Sequence, residues 1–267
     1  MLAFLGVAVG VYGTLVGLGG GFLVVPLLLL IYKLSPPAAA ATSLVVVFLN
    51  AASGSAGYLR RRRVDLATGI VLAAGTIPGA LIGPWVAERT PERAFKVALS
   101  LFLFAMAVFL YLRPAREITY ARPPRAGFGW VHRRFRDAEG MAFEYTYNVP
   151  LALAISFVVG ILASLFGIGG GIVHVPAMLH LMSFPVHIAT ATSQFVLAIT
   201  ALTGMLEYAR RDYIEWPVAI AIGVGVVAGA QIGAAVSHRM HGRRIVRLLI
   251  IAIVLLAGRL MWSAVRG

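Results

Sequence analysis

The chain has 267 residues, of which 60% are hydrophobic and only 12% charged, and its mean hydropathy is +0.89. A soluble domain carries roughly a quarter charged residues, so the composition excludes an ordinary soluble protein and indicates a polytopic helical one. The net charge of +13 comes from arginines set between apolar segments, a pattern of membrane orientation and not of nucleic-acid binding.

Cysteine is absent, which excludes disulfides and thiolate metal sites. The start, Met1-Leu2-Ala3-Phe4, has no basic region ahead of its apolar stretch, so no cleaved signal peptide is expected. The apolar runs are too long and continuous for the alternating strands of a membrane β-barrel.

The predicted elements fall into two sets of four. Apolar segments run near 1–33, 37–59, 66–87 and 94–112, and again near 149–183, 187–209, 216–237 and 245–264. At about 20 residues per span, the later three of each set are single transmembrane helices. The first of each set is too long for one untilted span. Each is interrupted by glycines, Gly17-Leu18-Gly19-Gly20-Gly21 in one and Gly167-Ile168-Gly169-Gly170-Gly171 in the other. Glycine is a poor helix former, and freed backbone groups find no water in hydrocarbon. Irregular backbone at that depth is tolerated only inside protein or along a cavity. Each segment is either one broken helix or a span followed by a half-helix that turns back.

The two breaks stand 150 residues apart, Gly17 to Gly167, and the same offset aligns much else. It pairs Pro26 with Pro176, Thr42-Ser43 with Thr192-Ser193, Tyr58 with Tyr208, Arg60-Arg61 with Arg210-Arg211, and Asp65 with Glu215. Shared membrane composition does not align Pro, Thr-Ser, Tyr and Arg-Arg at one spacing. Three regions follow: a first transmembrane repeat (1–112), a basic cytoplasmic linker (113–147) and a second transmembrane repeat (148–267). The linker carries Arg113, Arg116, Arg122, Arg125, Arg133, Arg134 and Arg136, and the excess of arginine assigns it to the cytoplasm together with Arg60 to Arg63.

Whether the repeats are parallel or inverted depends on how the broken segment crosses. Arg210-Arg211 as a second cytoplasmic cluster favours parallel halves. The more basic loop from His238 to Arg244 favours inversion, and the balance falls to inversion. The fold class expected is therefore an all-α polytopic membrane protein with two four-segment repeats, each starting with a Gly-broken helix.

Three groups of residues can carry chemistry. A short helix begins after each break, and its first N–H groups lack intrahelical partners and carry partial positive charge. Gly19, Gly20, Gly21, Gly169, Gly170 and Gly171 thus form two candidate anion-facing helix starts, unless the glycines serve only close helix packing. Thr42, Ser43, Thr192, Ser193 and Gln194 offer neutral hydrogen-bond donors at matching places one helix later, with back-bonding to their own helix as the alternative. Asn50 and Thr200 lie two turns further on. His174, just past the second break, is either an anion or proton ligand or a hydrogen-bonded core residue. Arg259, near the end of the last segment, has the reach to snorkel.

Asp and Glu number 10 in all, and no Walker A, HExxH or suitably placed GxSxG sequence occurs. No enzyme activity, metal or cofactor is expected. The expected partners are a small anion and the lipid bilayer, with no nucleic acid, and homo-oligomerisation stays open.

The duplicated G-x-GGG-x4-P, the later A-x-(A/G)-T-S and the Tyr-x-Arg-Arg…(Asp/Glu) segment resemble the TauE/SafE sulfite-exporter family over nearly all of the chain outside 113–147. The resemblance implies an inner-membrane transporter of sulfite, sulfoacetate or related organosulfonates. Export is the direction expected, with a passive anion channel or an uptake permease as the alternatives. A membrane scaffold without substrate is a third reading, and it predicts a dry, packed interior at both breaks.

Overall fold

The computed structural model describes residues 2–112, 127–136, 138, 140–236 and 242–266. Arg113, Arg116, Arg122 and Arg125 of the expected linker, and His238 to His241 of the basic loop, lie outside the described residues. The first half contains α1 (Leu2–Val16), α2 (Gly21–Leu30), α3 (Pro36–Arg60), α4 (Leu66–Arg89) and α5 (Glu92–Leu112). A hairpin of β1 (Trp130–Arg136) and β2 (Ala142–Asn148) follows. The second half contains α6 (Val149–Phe166), α7 (Gly171–His180), α8 (Val186–Ala209), α9 (Trp216–Val236) and α10 (Gly242–Arg266). Among the described residues six helices, α3 to α6, α8 and α9, are long and apolar enough to cross a membrane. The protein is a multi-pass helical membrane protein.

Local sequence explains the helix ends. Pro36 and Pro37 open α3, where a missing N–H costs nothing. Asp65 caps α4 by accepting from the N–H of Thr68 at 3.3 Å, and Asn148 caps α6 by accepting from Leu151 at 3.1 Å. Helices α1 and α6 stop where Gly17 and Gly167 take left-handed φ angles of 77° and 68°. Helices α2 and α7 restart at Gly20 and Gly170, also left-handed at 79° and 78°. The offset seen in the sequence therefore recurs in the elements: α2 and α7 have the same length, and their first residues are 21 and 171.

Helix directions follow from which residues meet. On α3 and α8, a Cβ built on Gly54 stands 3.6 Å from Gln194 Oε1, and one built on Gly204 stands 2.9 Å from Leu44 Cδ1. The late part of each helix meets the early part of the other, so α3 and α8 are antiparallel. On α3 and α9, Gly223 meets Leu49, Ser53 bonds Val227 at 3.0 Å, and Gly57 meets Ala234, so these two are parallel. Helix α1 is parallel to α9, because Gly225, Gly229 and Gly233 touch the carbonyls of Ala3, Val7 and Val11 in turn. Helix α6 is parallel to α4, because Gly75, Gly79 and Gly83 touch those of Leu153, Phe157 and Ile161. Small residues let these backbones approach closely, as membrane helices require.

Helices α3 and α8 therefore run in opposite directions. Helices α1 and α3 point the same way, so α2 returns between them, and each break turns the chain back without completing a crossing. The ends of α3 and α5 and the start of α10 share one face. That face carries Arg60 to Arg63 and the β1–β2 hairpin, the arginine-rich pattern on which the cytoplasmic expectation rests. Arg210 and Arg211 lie on the opposite face.

The second part of the expected linker is folded. Strands β1 and β2 pair antiparallel, with Arg133 opposite Tyr145. Tyr145, Thr146 and Tyr147 are buried against the bundle. Arg259 is exposed on the surface of α10.

Candidate site at the paired helix breaks

The two glycine segments meet at the crossing of α3 and α8. A Cβ built on Gly19 or on Gly169 would touch both Val47 and Leu197. One built on Gly21 would stand 2.6 Å from the carbonyl oxygen of Gly167, and one on Gly171 would meet the carbonyl of Gly17. Residues 17–21 and 167–171 are all buried. Gly19, Gly20, Gly169 and Gly170 need glycine for their left-handed backbone. Gly21 and Gly171 need it because another backbone lies where a side chain would be.

Of the polar side chains expected at the site, Ser43, Asn50 and Ser193 bond carbonyls of the breaks, Gln194 bonds the turn ahead of the first, and Thr42, Thr192, Thr200 and His174 bond elsewhere. Ser43 Oγ donates to Gly167 O at 2.8 Å, and Ser193 Oγ donates to Gly17 O at 3.3 Å. Gln194 Nε2 donates to Gly13 O at 3.0 Å, and Asn50 Nδ2 donates to Gly19 O at 2.9 Å. Thr42 Oγ1 accepts from the N–H of Glu215 at 3.0 Å, and Thr192 Oγ1 accepts from that of Asp65 at 3.1 Å. Thr200 does bond back along its helix, to Val196 O at 2.9 Å, and also to Thr76 Oγ1 at 2.7 Å. His174 turns to α6, where its Nε2 lies 3.1 Å from Ser156 Oγ. Ser43 holds a carbonyl of the second break, and Ser193 and Asn50 hold carbonyls of the first. The N–H groups at the starts of α2 and α7 stay directed along their helix axes.

Sequence reasoning missed several contributors. Tyr58 donates to Thr14 O at 3.0 Å, and Tyr208 donates to Ser164 O at 3.1 Å. Both bonds brace the helix ahead of a break, and the 150-residue spacing holds for donor and acceptor alike. Thr14 also donates to Asn50 Oδ1 at 2.6 Å. The aligned tyrosines were the available signal.

The end of the bundle that carries Arg60 to Arg63 has a charged cluster of its own. Arg133 donates from Nε to Asp65 Oδ2 at 3.0 Å and from Nη2 to Oδ1 at 2.9 Å, a two-pronged geometry that suits guanidinium and carboxylate. Tyr145 donates to the same carboxylate, and Thr68 Oγ1 does so at 3.0 Å. Burial works to raise the Asp65 carboxyl, but Arg133, Tyr145 and the Thr68 N–H hold it below its ordinary value. Burial, then the Asp65 charge, push the Tyr145 hydroxyl well above its own. The opposite end is braced differently: Arg211 pairs with Glu88 and, at 2.6 Å, with Glu207.

Two half-helices that start inside an apolar bundle are a feature of secondary membrane transporters. Comparison with known proteins agrees. The profile of the family described as Sulfite exporter TauE/SafE matches residues 2–260, and the chain belongs to that family. It is 32% identical over 272 residues to the "Probable membrane transporter protein YunE" of Bacillus subtilis (strain 168), covering 99% of this chain and 98% of the relative. It is 26% identical over 263 residues to the ORF9 transporter protein of Sinorhizobium sp, covering 98% and 92%. A relative from Methanocaldococcus jannaschii, MJ0441, is 35% identical over 89 residues, 32% of this chain and 33% of its own length. No solved structure matches.

Proposed function

We propose that this transporter moves a small sulfur oxyanion, sulfite or an organosulfonate such as sulfoacetate, out of the cell by alternating access at the paired breaks. The observation that carries the reading is the opposition of α2 and α7. Both start at buried glycines, both have first N–H groups that lie ahead of any intrahelical acceptor, and both lie at the contact between the halves. Helix starts of this kind favour anions. In this arrangement these glycines are packed against their neighbours, so a ligand reaches the helix starts as the halves part, and neutral Ser, Asn and Gln side chains hold the frame without a buried charge. Arginines on the cytoplasmic face raise the local anion concentration.

The test is counterflow of labelled sulfite in proteoliposomes of the purified chain. Saturable exchange that sulfoacetate competes with and chloride does not is the expected result. Ohmic conductance in a planar bilayer without saturable counterflow would mean a passive channel. No flux and no stabilisation by any sulfur anion would favour the scaffold reading.

A further inference from the structure

We propose that the β1–β2 hairpin is a releasable strap over the cytoplasmic end of the transport path, with Asp65 and Arg133 as its gating pair. This rests on the transport reading above and names the part that must move. The hairpin touches both halves at once. Arg133 and Tyr145 grip Asp65, in the α3–α4 loop of the first half. The Tyr145 ring lies 3.9 Å from that of Phe184, in the α7–α8 loop of the second half, and Tyr147 lies 6.1 Å from it. While the hairpin is docked, these two loops cannot separate.

The anchor is also wired to the breaks. The N–H of Asp65 bonds Thr192, whose neighbours Ser193 and Gln194 hold Gly17 and Gly13. Release of Asp65 therefore frees the α8 turn that frames the first break.

The opposite face supplies the contrast. Glu215 stands where Asp65 stands, and its N–H bonds Thr42 in the same way. Its side chain is exposed, however, and among the described residues no strand covers it. Leu34 stands there in place of Phe184. The strap is thus one-sided. Its attachment is narrow and partly wet: the Arg133 side chain is 32% exposed and Asp65 only 2%, so water or an arriving anion can reach the guanidinium and compete for it. Alternating access needs one end to close while the other opens, and one ion pair, hydrogen bonds from Tyr145 and from the Ala138 N–H to Arg61 O, and two ring contacts on Phe184 make a closure that can be undone.

The chain has no cysteine, so single thiols report cleanly. Thr68→Cys places a thiol where Tyr145 and Asp65 now meet Thr68. In inside-out vesicles a membrane-impermeant maleimide should label it slowly. Adding Arg133→Ala or Tyr145→Phe should raise the rate by roughly tenfold, and unchanged rates would overturn the strap. A second arm guards against simple misfolding. Tyr145→Cys with Phe184→Cys, bridged by oxidation, should stop sulfite counterflow, and reduction should restore it. Full flux through the bridged protein would overturn the proposal. Labelling needs no substrate, so labelling that responds while no sulfite moves keeps the strap and removes the sulfite reading alone.

Discussion

Ser43 donates its hydroxyl to the carbonyl of Gly167 at 2.8 Å, and its counterpart Ser193 donates to Gly17 at 3.3 Å. Each half thus closes the break of the other. All four residues are buried, so a lost donor leaves a carbonyl with no water to turn to. Such a loss costs about 1–3 kcal/mol in soluble cores, while hydrogen bonds between membrane helices average nearer ~0.6 kcal/mol. Ser43→Ala should therefore lower stability by about 0.5–2 kcal/mol, and Ser193→Ala by less, given its longer bond. Thermal unfolding in detergent measures both. Equal and negligible losses would mean that the breaks hold their shape without these bonds.

The glycines should separate by mechanism. Gly170 has a φ of 78°, which costs a side-chain-bearing residue roughly 1–2 kcal/mol, and its added Cβ would stand 2.7 Å from Val159 Cγ1. Gly21 has no positive φ, but its added Cβ would press on the Gly167 carbonyl at 2.6 Å, and backbone cannot swing aside as a side chain does. Both alanine substitutions should abolish counterflow and lower stability. Gly258→Ala is the control: nothing lies within 4 Å of its added Cβ, and alanine favours the helix by up to ~1 kcal/mol. It should transport normally and melt no lower than the parent.

Much of this was written in the sequence, for identifiable reasons. Three glycines inside an apolar run interrupt a helix, and their recurrence with Pro26 and Pro176 located α2 and α7 closely. Spans bounded by Arg and Pro placed the long helices to within a few residues. The direction of the halves was harder to read, because crossing parity hinges on α2 turning back, and only contacts such as Gly54 with Gln194 decide that. The role of Ser43 and Ser193 was hidden because their acceptors lie 124 and 176 residues away. The hairpin left a legible trace in Phe143, Tyr145 and Tyr147, which alternate with polar residues as strand residues do. The arginine-rich surroundings led to a reading as linker instead.

The pH dependence of hairpin docking follows from Asp65. Its carboxyl is held below the ordinary value in the folded protein by Arg133, Tyr145 and Thr68, against the opposing effect of burial. A depressed carboxylate contributes stability above its unfolded pKa of about 3.9, and that contribution is lost as pH falls through the folded value. Its contribution to docking should therefore be flat from pH 8 to about 5 and should fall away below about 4. Anisotropy of a dye on Phe128→Cys, at the exposed approach to β1, reads this. Asp65→Asn should loosen the hairpin at neutral pH and remove the acid transition. An acid transition that survives in Asp65→Asn would assign it to another group.

The two arginine clusters aligned by the 150-residue offset follow α3 and α8, which are antiparallel, so they lie at opposite ends of the bundle. Arg62 ends the α3 turn and Arg210 the α8 turn, and both are exposed. Because α3 and α8 are antiparallel, a thiol at Arg62→Cys should react from the cytoplasmic side, and one at Arg210→Cys only from the outside. An arginine pair at the end opposite Arg60 to Arg63 runs against the positive-inside rule. The departure is small because Arg211 is matched by Glu88 and Glu207, which leaves little net positive charge to retain inside. Impermeant-reagent labelling in right-side-out and inside-out vesicles decides the matter. Labelling of both positions from the cytoplasm would require parallel halves, and the reciprocal bonds of Ser43 and Ser193 could not then form.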